Sequence, residues 1–266
     1  MTDNIHTLIL PDIHGRLFWK SAIELYPKEK YPDLDIVFLG DYLDPYDFEY
    51  ISKEDAIYNF ENIIDIAEKD NRVHLLLGNH DWHYIDNIDN CRIDKDNFKY
   101  IKNLFLTYDK LFNIAYENFI EDKRYFYTHA GVTKQWWNDI QNISKNCLTN
   151  KFLSDEQKQW ITNNVLNKPV TTELLNSFKY NFQGNAWLSM ISFIRGGDND
   201  FASCIWADYR EMHNGKLSVF TDNTYQIFGH TLSEPDINDG IVLDNIAMLD
   251  SRCAWVLNKD KTIFKL

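Results

Sequence analysis

The chain has 266 residues, 44% of them hydrophobic and 15% aromatic, enough for a packed core and within reach of one α/β domain carrying insertions. Its 40 Asp and Glu outnumber 27 Lys and Arg, a formal net charge of -13 at pH 7. That balance argues against broad attachment to a nucleic-acid backbone, but not against a small phosphorylated ligand, because bound cations invert the local charge of an acidic pocket.

A first strand is predicted at 5–10, a second at 34–39 and a third at 73–77, each a short β-branched or leucine-rich run of the kind buried in a central sheet. Between the second and third, 52–69 predicts a helix. Ser52 and Asp55 form a capping pair, and Ala56, Ile57, Phe60, Ile63, Ile64 and Ala67 recur at helical spacing. Segments 95–118 and 133–194 are rich in Trp, Phe, Asn and Lys and carry helix signals, such as the capping box of Ser154 and Gln157. Further strands are predicted at 124–128 and 225–228. The tail, with short runs at 241–243, 247–249, 254–257 and 262–264, predicts an antiparallel finish. No repeat, low-complexity run or Gly/Ser linker divides the chain. A single domain over 1–266 is expected, with a helical insertion at about 134–200 over one edge of the sheet.

The four cysteines, Cys91, Cys147, Cys204 and Cys253, are widely spaced and form neither a zinc knuckle nor a dense disulfide framework. No run approaches the roughly 20 apolar residues of a membrane span, and the first ten residues lack the basic region and long apolar core of a signal peptide. No membrane partner and a reducing, cytoplasmic setting are therefore expected.

The chemistry gathers where the strands end. Asp12-Ile13-His14-Gly15 follows the first strand, Gly40-Asp41-Tyr42-Leu43-Asp44 the second and Gly78-Asn79-His80-Asp81 the third. His129-Ala130-Gly131 and Gly229-His230-Thr231 follow the two later strands. Ligands of an α/β sheet collect beyond the carboxyl ends of its strands, so the five segments are placed to converge. Carboxylate, imidazole and amide oxygen suit manganese, iron, zinc or nickel better than a thiolate site would. A bridging carboxylate can hold two such ions about 3.5–4 Å apart with a hydroxide shared between them.

Taken together these segments resemble the calcineurin-like metallophosphoesterase superfamily, whose blocks run Asp-x-His, Gly-Asp-x-x-Asp, Gly-Asn-His-Asp/Glu, His and Gly-His. Within it the chain is similar to the branch of phosphoprotein phosphatases and diadenosine tetraphosphatases, by Asp12-Ile13-His14-Gly15, His129-Ala130-Gly131, the single histidine of Gly229-His230-Thr231, and Leu249-Asp250-Ser251. The resemblance spans residues 12 to 250 but not the insertion. It implies a layered α/β/β/α sandwich with two divalent metals. Asp12 and His14 would bind the first metal, Asp41 would bridge, and Asn79, His129 and His230 would complete the second. Leu232 stands where many members carry a further histidine, which leaves the first metal fewer protein ligands. His80 would protonate the leaving group, oriented by Asp44.

The pattern departs at Pro45-Tyr46, where phosphoprotein phosphatases carry a phosphate-gripping arginine followed by glycine. Arg195, beside Gly196-Gly197, and Arg210, in the tryptophan-centred segment Ile205-Trp206-Ala207-Asp208-Tyr209-Arg210, are the candidate replacements. His74, His83 and His213 read as structural or surface residues, and Trp136, Trp137 and Trp187 as core. The expected activity is hydrolysis of a phosphomonoester or nucleotide phosphoanhydride by metal-hydroxide attack. The substrate would be a phosphorylated small molecule, a nucleotide or a phosphopeptide, with nucleic acid a poorer fit. A phosphodiesterase or nuclease on the same metals is the alternative enzyme, and a metal-binding scaffold the alternative without turnover.

Overall fold

The computed structural model describes residues 4–88, 92–212, 216–231 and 240–266. Two sheets carry the fold. The first has six strands, β1 (Ile5–Leu10), β2 (Asp35–Phe38), β3 (Val73–Leu76), β4 (Phe112–Asn113), β10 (Trp255–Asn258) and β11 (Ile263–Lys265), in the order β11-β10-β1-β2-β3-β4. The second has five, β5 (Ala115–Ile120), β6 (Lys123–Thr128), β7 (Thr224–Phe228), β8 (Ile241–Val242) and β9 (Ile246–Met248), in the order β5-β6-β7-β9-β8. Strands β1, β2 and β3 run parallel, and so do β6, β7 and β9.

Alternation along the strands sets the layers. In β1, Ile9 packs with Val37, Leu76, Tyr125, Tyr127 and Ile227 between the sheets, whereas Leu8 and Leu10 join the larger core beneath the helices. Tyr125 and Tyr127 face the other sheet, and Phe126 between them faces outward. Helices α1 (Phe18–Glu24), α2 (Lys53–Lys69), α3 (Asn79–Asp86) and α4 (Phe98–Thr107) accompany the first sheet in the chain. In α2 the Ser52 side chain accepts from the Asp55 N–H, and Ala56, Ile57, Phe60, Ile63 and Ile64 are buried along one face. Helices α5 (Lys134–Cys147), α6 (Asp155–Asn164), α7 (Thr172–Phe178) and α8 (Phe182–Leu188) follow β6, and short α9 (Tyr209–Met212) precedes β7. Ser154 and Gln157 close the expected capping box on α6. Trp136, Trp137 and Trp187 are buried. The architecture is the layered α/β sandwich that the motifs imply.

Two expectations are corrected. Segment 95–118 is helical in α4 and in a single 3-10 turn at Asp109–Leu111; the rest of its second half forms β4 and most of β5, because β5 finds a hairpin partner in β6, pairing from Ala115–Thr128 to Ile120–Lys123. The tail is antiparallel only in part. Strand β9 pairs parallel with β7, while β10 and β11 cross to the first sheet, where β10 lies antiparallel to β1. Cys91, His213 and Leu232 lie outside the described residues.

Candidate metal centre

The site is built on turns that few residues adopt willingly. Asp12, His14, Asp41, Asp44 and His230 all have positive φ, from 37° to 70°. Left-handed backbone at non-glycine residues costs on the order of 1–3 kcal/mol each and persists only where the surroundings enforce it. Here the loops enforce each other: His14 N–H donates to Asp41 O at 2.6 Å, Gly15 N–H to Tyr42 O at 2.9 Å, and Gly229 N–H to His129 O at 2.7 Å. Asp81 locks the turn after β2, its carboxylate accepting from Asp41 N–H (2.7 Å), Tyr42 N–H (3.0 Å) and Gly78 N–H (2.8 Å). Two glycines make room for carboxylates. A Cβ on Gly78 would fall 2.2 Å from Asp41 Oδ1, and one on Gly229 would fall 2.0 Å from Asp12 Oδ2.

Asp41 is the meeting point. Among the described residues two groups have ligand atoms within 4.8 Å of one another, His14–Asp41–His80 and Asp41–His129–His230, and Asp41 belongs to both. Backbone carbonyls fix the tautomers: His14 Nδ1 donates to Leu43 O at 2.8 Å and His129 Nδ1 to Leu39 O at 2.7 Å. Each Nε2 is thereby left as a lone pair. His129 Nε2 faces Asn79 Oδ1 at 3.0 Å, His230 Nδ1 at 3.1 Å and Asp41 Oδ2 at 3.5 Å, and His14 Nε2 faces Asp41 Oδ2 at 3.5 Å. Lone pairs pointed at carboxylate oxygens repel unless a cation lies between them. Ligands at 2.0–2.2 Å around a tetrahedral ion stand about 3.3–3.6 Å apart, close to this spacing. The donor set fits divalent metal. Asp12 is placed differently from the other expected ligands: both its oxygens accept the His230 N–H at 3.0 Å, and it belongs to neither close group.

Electrostatics point the same way. Burial pushes the imidazoles of His14 and His230 well below, and that of His129 below, the ordinary histidine range. Burial also pushes the Asp41 carboxyl up, but the imidazoles of His129, His80, His14 and His230 outweigh it and hold the group below its usual range. Neutral imidazole and ionised carboxylate are the metal-binding forms. Burial, then the charges of Asp250 and Asp41, raise the Asp12 carboxyl well above normal, and burial raises Asp250 to about 6. A buried group of like charges of this kind calls for a counter-cation.

The centre opens into a cavity of about 460 Å³. His80 lines it, with Nδ1 2.8 Å from Asp44 Oδ2, and Tyr84 OH donates to the other Asp44 oxygen at 2.5 Å. Arg195 also lines it, its Nε 3.0 Å from Asp208 Oδ2 and one Nη donating to Thr231 Oγ1 at 2.5 Å. Arg210 does not: it is not among the lining residues, and its side chain, 59% exposed, grips Asp208 at 2.7 and 3.1 Å. The two arginines share Asp208, so only one is left facing the ligand space.

Several cavity residues had no signal in the motifs. Arg92 stands 2.6 Å from His80 Nε2 and lies over the Tyr46 ring at 3.9 Å. Tyr46 packs edge-on against His14, with ring centroids 5.1 Å apart. His83, expected to be structural or on the surface, is a buried wall residue with neither ring nitrogen hydrogen-bonded among the described residues, and Trp206 packs edge-on against it at 5.3 Å. Its spacing of three from His80 along α3 is the one sequence signal that could have placed it there.

Fold and site define a layered α/β protein with a buried His/Asp centre at the strand ends. The chain belongs to the calcineurin-like phosphoesterase family, whose model matches residues 5–234. Among solved structures it is similar to a protein serine/threonine phosphatase from Saccharomyces cerevisiae described as similar to human phosphatase PP5, at 14% identity over 96% of this chain and 73% of that one, with a TM-score of 0.45. It is also similar to a hypothetical protein from Pyrococcus horikoshii OT3, at 16% identity and a TM-score of 0.30, over 53% of this chain and 65% of that one, just under two thirds of its length. No curated protein matches the chain significantly.

Proposed function

We propose that the chain hydrolyses phosphomonoesters or nucleotide phosphoanhydrides with two divalent cations held around Asp41. The observation that carries this reading is the membership of Asp41 in both close ligand groups, the placement a bridging carboxylate needs. Asp12, His14 and Asp41 would hold one cation, and Asp41, Asn79, His129 and His230 the other. When bound, such cations supply Lewis acidity, acidifying water and neutralising charge on the phosphoryl oxygens.

The remaining work falls to the chain's own groups. His80, whose Nδ1 is held by Asp44, presents Nε2 to the cavity and gives the leaving-group oxygen its proton. Arg195, fixed by Asp208 and Thr231, grips phosphate oxygens, and Arg210 acts only through Asp208. A cavity of about 460 Å³ suits a phosphorylated metabolite, a nucleotide or the phosphorylated end of a peptide. We read the chain as one domain, with the 134–200 helices as its insertion, acting in the cytoplasm. No described helix is long and apolar enough to cross a membrane.

The test is turnover of para-nitrophenyl phosphate against its bis-ester, with and without manganese. Manganese-dependent monoesterase activity is expected. Preference for the bis-ester would favour a phosphodiesterase, and no turnover of either, with metal bound, a scaffold.

A further inference from the structure

We propose that Arg92 is a second phosphate-gripping residue of this cavity, and that the site therefore selects a terminal, dianionic phosphate. The assignment deepens the phosphoesterase reading and rests on it for the nature of the ligand. Arg92 belongs to none of the family blocks, and its place follows from three contacts. Its guanidinium carbon lies 3.9 Å over the Tyr46 ring, one Nη is 2.6 Å from His80 Nε2, and the other Nη donates to Asp44 O at 3.2 Å. Tyr46, His80 and Arg92 all line the cavity, and the Tyr46 ring packs on His14.

Stacking fixes the plane of a guanidinium while leaving its edge free to direct N–H donors. Here one Nη of that edge faces an imidazole nitrogen, 2.6 Å away. A phosphate dianion is the stronger, charge-assisted acceptor. A ligand phosphate at the Asp41 centre therefore competes for the Arg92 Nη, which exchanges one acceptor for the other by pivoting on Tyr46. The exchange also clears the His80 nitrogen that faces the ligand. The departure at Pro45-Tyr46 then has one explanation: Pro45 carries no cation, and Tyr46 supplies the platform on which another is mounted.

Arg92 stands on the His14 and Tyr46 side of the cavity, and Arg195 is tied to Thr231, next to His230. Two guanidiniums on different sides of the centre favour a phosphate whose free oxygens face both. A monoester, or the end of an anhydride chain, offers them. A diester turns an esterified oxygen, a weaker acceptor, toward one of the two, which then forgoes a charge-assisted bond.

The test uses Arg92→Ala, Arg92→Lys and Tyr46→Leu in the full chain reconstituted with manganese, with inorganic phosphate as the calorimetric probe. Arg92→Ala should weaken phosphate binding about 10- to 100-fold, the range of a lost charge-assisted hydrogen bond. Arg92→Lys should lose less, Tyr46→Leu several-fold, and bound metal should not change. The ratio of monoester to diester turnover should fall in Arg92→Ala. Unchanged phosphate affinity in Arg92→Ala overturns the proposal, and a lower kcat with that affinity intact would make Arg92 a brace for His80. A wild type that binds no inorganic phosphate overturns it too. Phosphate binding that weakens in Arg92→Ala, in a protein that turns over no ester, sustains the clamp while refuting the hydrolase reading.

Discussion

The Asp41 carboxylate lies against the backbone of Gly78, so closely that a Cβ there would fall 2.2 Å from Oδ1 and 2.8 Å from both the Asp41 nitrogen and His129 Cε1. The Asp41 nitrogen is backbone, and the two side chains are held in place, Asp41 Oδ1 accepting from the His80 N–H at 2.9 Å and His129 Nδ1 donating to Leu39 O at 2.7 Å. Gly78→Ala should displace Asp41, lower bound metal and reduce activity by at least about 100-fold, with roughly 1–3 kcal/mol of stability lost to overpacking. Metal analysis and urea denaturation of the purified variant check both. Full metal content with normal turnover would show that the loop can yield there.

Asp41→Asn keeps the shape of the side chain and removes its charge. The expected result is fewer than two metals per chain and a loss of turnover on the order of 10³-fold or more, on the scale of removing a preorganised electrostatic group. Retained occupancy and turnover would assign the bridge to another residue.

His80→Ala separates substrates by leaving group. An alkyl phosphate leaves as a basic alkoxide and needs a proton, whereas para-nitrophenolate is stable as an anion. Losses of about 10²–10⁴-fold are expected on alkyl esters and clearly smaller ones on para-nitrophenyl phosphate, with metal content near wild type. Asp44→Asn should follow the same trend more weakly, because Asp44 acts by holding His80 Nδ1 at 2.8 Å. Equal losses on both substrates would move His80 from proton donor to positioning residue.

His83 supplies a pH test. Burial, with the charge of His80 adding, pushes its imidazole down to about 4, against an ordinary value of 6.5. Below 6.5 the unfolded chain takes up a proton that the folded chain refuses, so stability is lost as pH falls from 6.5 toward 4. At pH 5 that loss is about 2 kcal/mol relative to pH 8. The stability difference between wild type and His83→Gln, from urea melts, should shift by that amount in favour of the variant on acidification. A difference that does not vary with pH would show that His83 titrates normally.

Arg195 and Arg210 should behave unequally. Arg195→Ala removes a cavity cation and is expected to lower kcat/KM by about 10- to 100-fold with metal retained. Arg210→Ala, whose side chain is 59% exposed and among the described residues pairs with Asp208, should cost a few-fold at most. Steady-state kinetics of the two variants decide it, and equal losses would mean that the shared Asp208 carries both effects.

The strands that deliver the centre were legible because their signals are local. Residues 5–10, 73–77 and 124–128 are short strand-like runs with site residues next in the chain: β1 ends two residues before Asp12, β3 three before Asn79 and β6 one before His129. Residue type carried the chemistry as well: an acid, an amide and histidines without thiolates already describe a hard-to-intermediate metal site. Sequence was weaker for β4 and β5, whose strand character depends on partners in β3 and β6 rather than on composition.

Sequence by itself determined which residues could bind metal and the order in which they are delivered. Tertiary structure decided which lone pairs face one another. His14 is oriented by a carbonyl 29 residues away and His129 by one 90 residues away. It also chose between arginines that look alike in the chain, tying Arg210 to Asp208 at the surface and bringing Arg92 over Tyr46, 46 positions earlier, against His80. Propensity and spacing reach a few residues along the backbone. Hydrogen bonds and ring contacts act over about 3–6 Å of space, and only the packing of two sheets and their helices brings such distant positions that close.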